Sequence, residues 1–112
     1  MKRLIVILFI LLIPIAVSAV EPVRIAAIFT KTGPAVIVTG LRPEFTAVEM
    51  AVDELNAKGG MLGHRIEVIE FDNQSTALGS RQAAEAAVKA GVIAVIGATR
   101  SSHSLGMAPV LQ

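Results

Sequence analysis

The sequence predicts an α/β fold, a parallel sheet with flanking helices, and three observations carry that prediction. Apolar runs at residues 23–29, 66–71 and 92–96 have the length and composition of strands. Helical patterns separate them. Between Glu44 and Asp72, EFTAVEMAVDELNAKGGMLGHRIEVIEFD, a helix pattern passes through a double glycine directly into a strand that ends on a carboxylate. The order βαβαβα implies parallel pairing with right-handed crossovers.

Residues 23–29, VRIAAIF, are continuously apolar apart from Arg24, the pattern of a parallel strand covered on both faces. This is the expected central strand. The stretch 30–40 carries Gly33, Gly40, Pro34 and three threonines, so it reads as a loop leaving the carboxyl end of that strand. Ligands of open α/β sheets bind at this edge. From Leu41 the apolar positions Leu41, Phe45, Val48, Val52 and Leu55 recur in steps of four and three, with Glu44, Glu49, Asp53, Glu54 and Lys58 opposite. Pro43 suits the first turn of that helix, and Gly59 or Gly60 suits its left-handed end.

Residues 66–71 form the second strand, expected at an edge because Glu67 and Glu70 interrupt its apolar run. Asp72-Asn73-Gln74-Ser75 reads as a polar loop and cap, and residues 76–90 as an alanine-rich helix able to approach the sheet closely. Gly91 ends that helix. Residues 92–96 are expected as a third, buried strand, and Gly97 to Ser101 lead into a last helix beginning near Ser102.

The first 19 residues are not fold material. Lys2 and Arg3 form a basic start, residues 4–17 an apolar stretch, and Val17-Ser18-Ala19 a small-residue cleavage site, the pattern of a secretory signal peptide cut after Ala19. Its apolar run is shorter than the ~20 residues that span a bilayer, and Pro14 interrupts it. The chain has ten Lys/Arg and nine Asp/Glu; without Lys2 and Arg3 the formal net charge moves from +1 to −1. Neither value gives an electrostatic footprint for nucleic acid. With no cysteine, disulfides, thiolate chemistry and a lipid-bearing cysteine are all excluded. Residues 20–112 are expected to be the N-terminal part of a longer protein, because the pattern stops within a helix.

Gly97-Ala98-Thr99-Arg100-Ser101-Ser102 is the sharpest candidate site. It joins the carboxyl end of a strand to a helix start, where free N–H groups, the helix dipole and two hydroxyls favour an anion such as a carboxylate. The competing reading is an ordinary serine cap. Gly33 lies in a loop on the same edge and lets the backbone approach closely. Phosphate-loop and dinucleotide fingerprints are absent, and Gly59-Gly60-x-x-Gly63 follows a helix, so these glycines are turn formers. His64 and His103 lack metal-ligand spacing and are expected at the surface. No Gly-x-Ser-x-Gly elbow accompanies Ser101, Ser102 and His103, so catalysis is not expected and no cofactor is called for.

VRIAAIFTKTGP, the helix running into DELNAKGGMLGHRIEVIEFDNQS, and AGVIAVIGATRSSHSLGMAPVLQ together resemble the start of type I periplasmic solute-binding proteins. The similarity is to the branched-chain amino acid and amide-binding receptors of ABC importers, and it covers residues 20–112. It implies the N-terminal part of the first of two α/β lobes, which close on a small solute without transforming it. The partners implied are an amino acid or related carboxylate and ABC permease subunits, in the periplasm. Family hydroxyls and N–H groups after the third strand hold the ligand carboxylate, a role that carries over to Ser101 and Ser102, with Thr99 beside them. Family members often place an aromatic side chain in the loop after the first strand. Here PAVIVTG has none, a departure that bears on ligand class. The alternative from another class is a ligand-sensing ectodomain of a signalling receptor.

Overall fold

The computed structural model describes residues 20–34 and 42–112. The signal-peptide expectation, Leu41 and most of PAVIVTG lie outside the described residues. The element order is β1 (Val23–Phe29), α1 (Pro43–Ala57), β2 (Ile66–Asp72), α2 (Ala77–Lys89), β3 (Ala94–Ile96) and α3 (Ser101–Leu111). All pairing is parallel, in the order β2-β1-β3, with Val23 opposite Ile66, Phe29 opposite Asp72 and Ala26 opposite Val95. Among the described residues β1 is therefore central and β2 lies at an edge.

Strand β1 explains the two-layer cover. Successive side chains of a strand point to opposite faces, so Ile25, Ala27 and Phe29 join Phe45, Val48, Val52 and Ile66 beneath α1. Ala26 and Ile28 face the other way, onto Ala83, Ala84 and Ala87 of α2 and Met107 of α3. Phe45 meets Phe29 edge to face, with ring centroids 5.3 Å apart. Small residues set the spacing on the second face. A Cβ at Gly106 of α3 would lie 2.4 Å from the Ala77 carbonyl oxygen of α2, so only glycine allows this helix contact.

Local signals place the boundaries. Pro43 occupies the first turn of α1 as expected. Gly59 and Gly60 follow the helix with φ of 103° and 78°, and a Cβ at Gly60 would sit 2.0 Å from the His64 carbonyl oxygen. The cap of α2 is Thr76, whose Oγ1 accepts from the Gly79 N–H at 2.8 Å; the preceding 72–75 stretch makes the turn.

Three expectations need correction. Strand β3 is three residues long, and Ala94 and Ile96 are exposed with Val95 half-buried. Among the described residues it pairs with β1 alone, so one edge lacks cover. Leu55, at the end of the α1 stripe, is 43% exposed, on the wall of an open apolar groove with Met61 and Ile96. His103 is buried, 3% exposed, since the third position of α3 turns inward; His64 is half-buried and its Nδ1 lies 2.9 Å from the Glu21 carbonyl oxygen. Among the described residues no helix is long and apolar enough to cross a membrane.

Candidate ligand-binding edge

Parallel pairing brings three chain segments to one edge, namely the residues following β1, β2 and β3. The register puts Asp72, the last residue of β2, opposite Phe29, the last of β1. Its carboxylate therefore reaches the chain leaving β1. Asp72 Oδ1 accepts from the Lys31 N–H at 2.8 Å, the Thr32 N–H at 3.2 Å and the Gln74 N–H at 2.9 Å, while Oδ2 accepts from the Thr32 hydroxyl. Partial burial pushes this carboxyl up, but the Thr32 hydroxyl and the three N–H groups outweigh burial and hold it below the usual aspartate value.

Glu70, two residues earlier on the same face of β2, binds both flanks of the segment between β1 and α1. Arg42 donates to it from Nη1 at 2.7 Å and Nη2 at 3.0 Å, and Lys31 Nζ forms a second ion pair with it. Burial raises this carboxyl, while hydrogen bonds from Lys31 and Arg42 and the charge of Lys31 bring it below its ordinary value. The two cations also lie over the Phe45 ring, 4.9 Å and 5.2 Å from its centroid. Lys31 and Arg42 are thus fixed on either side of residues 35–41.

Gly33 has φ of 102°, and a Cβ there would lie 2.3 Å from the Gln74 carbonyl oxygen. Its close approach is made to the chain following β2. Ser75 Oγ completes that contact by donating to the Thr32 carbonyl oxygen at 3.0 Å.

The third segment carries Thr99, Ser101 and Ser102, all exposed. The cap position of α3 is Arg100, in an extended conformation, with no side-chain hydrogen bond to the helix. His103 N–H and Ser104 N–H both donate to the Arg100 carbonyl, at 3.0 Å and 3.1 Å, which leaves the Ser101 and Ser102 amides as the open end of the helix. The capping alternative thus finds no hydrogen bond among the described residues. Sequence reasoning gathered Gly33, Thr99, Ser101 and Ser102 onto this edge, and all four lie on the segments that follow β1 and β3 there. It missed Asp72, Asn73, Glu70 and His103 as the groups that hold the edge together. The polar run from Asp72 to Ser75 was a signal for Asp72 and Asn73, and none marked Glu70 or His103.

Three grooves lie elsewhere among the described residues, one of about 460 Å³ between Val88, Val95 and Leu111. A second of about 390 Å³ runs between α1 and β2 past Glu49, Asp53, Asn56 and Arg65. Another of about 330 Å³ is apolar, between Val48, Leu55, Met61 and Ile96. No cluster of three metal-ligating side chains occurs among the described residues.

An α/β sheet edge that offers helix amides and exposed hydroxyls has the chemistry to hold an anionic group. Comparison with known proteins gives the class. Residues 22–112 match the periplasmic binding protein family model, and the chain belongs to that family. It is 30% identical over 84 residues to the Leu/Ile/Val-binding protein of Escherichia coli strain K12, covering 75% of this chain and 22% of that protein. The substrate-binding protein LivJ of the branched-chain amino acid transporter of Streptococcus pneumoniae, solved with isoleucine, superposes with a TM-score of 0.70 at 27% identity, covering 80% of this chain and 26% of that one. The leucine-binding protein LivK of Thermotoga maritima gives a TM-score of 0.66 at 32% identity, covering 79% and 24%. These relatives are solute-binding proteins, and the chain spans about a fifth of the length of the curated ones it matches.

Proposed function

We propose that this chain is part of the first lobe of an extracytoplasmic receptor that binds a branched-chain amino acid or amide-like solute for an ABC importer. The observation that carries the reading is the uncapped start of α3, where exposed Ser101 and Ser102 stand at the carboxyl end of β3. A carboxylate placed there accepts from the two hydroxyls and the first amides, and the helix dipole adds to the attraction. Thr99 borders the same anion position. Gly33 ties the chain after β1 to the segment after β2, and that pair of segments forms one wall of the site. Capture is non-covalent, and a second lobe closes over the solute and excludes water. Residues 1–19 act as a cleaved signal peptide that delivers residues 20–112 to the periplasm. The names of the relatives, a Leu/Ile/Val-binding protein and a leucine-binding protein, support the ligand class.

The test is Ser101→Ala with Ser102→Ala in the full-length receptor, followed by calorimetric titration with leucine, isoleucine and valine. Hydrogen bonds to a charged group contribute about 1.5–3 kcal/mol each, so the double variant is expected to bind at least ~10-fold more weakly. Unchanged affinity for a ligand that the unmodified receptor binds overturns the carboxylate assignment.

A further inference from the structure

We propose that Asn73 is the positioning residue of the binding edge, setting the first turn of α3 through His103 while holding the chain segments after β1 and β2. The inference rests on the reading of Ser101 and Ser102 as ligand contacts. It begins from burial. Asn73 is 0% exposed and His103 3% exposed, and they are two of the three buried polar residues among those described. An amide or imidazole taken out of water without partners costs several kcal/mol on the order of its lost hydrogen bonds. No buried side-chain nitrogen or oxygen among the described residues lacks a partner.

Backbone bonds fix where Asn73 stands. Its N–H donates to the Phe29 carbonyl at 3.0 Å, extending the β1–β2 ladder by one rung, and its carbonyl accepts from the Thr76 N–H at 3.1 Å. A Cβ at Gly79 would lie 2.1 Å from that same carbonyl oxygen, so α2 closes over it. From this fixed point the side chain reaches three segments. Oδ1 accepts from the Thr30 hydroxyl at 2.8 Å and the Ser75 N–H at 3.0 Å, and Nδ2 lies 3.3 Å from His103 Nδ1.

The chemistry of these contacts decides the state of the histidine. A backbone N–H only donates, so the atom facing Ser75 is the amide oxygen and the atom facing His103 is the amide nitrogen. The amide nitrogen also only donates. His103 Nδ1 must therefore present its lone pair, which places the proton of the neutral ring on Nε2. His103 is the third residue of α3 and follows Ser102 directly. Its N–H is bonded to Arg100, so a shift of the ring displaces the turn that carries both serines.

Two variants separate positioning from simple packing. Asn73→Asp keeps the acceptor for Thr30 and Ser75 but turns an oxygen toward His103, and the ring is expected to answer by carrying a proton on Nδ1. Asn73→Leu keeps the approximate volume and offers no donor. The measurements are ¹⁵N NMR of the His103 ring in the full-length receptor, assigned by its loss in His103→Gln, and titration with leucine.

The expected result is an unprotonated Nδ1 in the unmodified protein and a protonated Nδ1 in Asn73→Asp. Leucine affinity in Asn73→Asp should stay within ~3-fold, and in Asn73→Leu it should fall at least ~10-fold. A native ring protonated on Nδ1, or an Asn73→Asp ring that keeps its tautomer, overturns the inference even if Asn73→Leu does not fold. A folded Asn73→Leu with native affinity also overturns it. Native leucine binding in the double serine variant, with the predicted tautomers intact, instead removes the carboxylate reading and leaves the Asn73–His103 geometry standing.

Discussion

Removing the Asp72 carboxylate should loosen the chain segment that leaves β1, and the structure sets the size of the effect. Asp72→Ala leaves the Lys31, Thr32 and Gln74 N–H groups and the Thr32 hydroxyl without their acceptor. Hydrogen bonds to a charged group contribute about 1.5–3 kcal/mol when buried. Water replaces most of that at Thr32 and Gln74, which are exposed, whereas Lys31 is half-buried. The expected loss at neutral pH is therefore about 2 kcal/mol, dominated by one bond and not by four. Because the folded pKa of Asp72 is depressed, its charge-dependent stabilisation is present above the unfolded value, near 3.8, and disappears as pH falls through the lower folded value. Urea denaturation of the native and Asp72→Ala full-length proteins at pH 7, 5 and 3 reads this directly. The gap should be full at pH 7 and 5 and begin to narrow at pH 3. A gap below ~0.5 kcal/mol at pH 7, or one that widens with acid, refutes the assignment of Asp72 as an ionised anchor.

Two further outcomes follow from the same packing. Phe45 is 1% exposed and braced by Phe29, so Phe45→Ala is expected to destabilise by about 3–5 kcal/mol in denaturant titration. Glu70→Gln separates the charges at the two flanks of residues 35–41, and with Lys31 and Arg42 partly exposed the expected loss is only about 1 kcal/mol. That loss should shrink in 1 M salt. It should also diminish as pH falls from above the ordinary glutamate value through the lowered folded one.

The residues whose roles depend on local periodicity were readable in advance. Ile25, Ala27 and Phe29 alternate with Ala26 and Ile28, so β1 had to be covered twice, and the observed core is divided along that alternation. Pro43 and the glycines at 59 and 60 act through their own backbone, and they mark the two ends of α1. The order of elements then fixed parallel pairing and the edge on which Ser101 and Ser102 stand.

Burial at the margins was not readable, since Ala94, Ile96 and Leu55 depend on what lies beside them and not on their own hydrophobicity. The same limit applies to the edge itself. Asp72 and Lys31, Glu70 and Arg42, and Asn73 and His103 are separated by 41, 28 and 30 positions. No local pattern relates such residues. Sequence alone determined which segments are helix and strand and which hydroxyls end up at the sheet edge. The tertiary register, by placing Phe29 beside Asp72, decided which polar groups hold that edge in place, because a hydrogen bond depends on a distance that only folding creates.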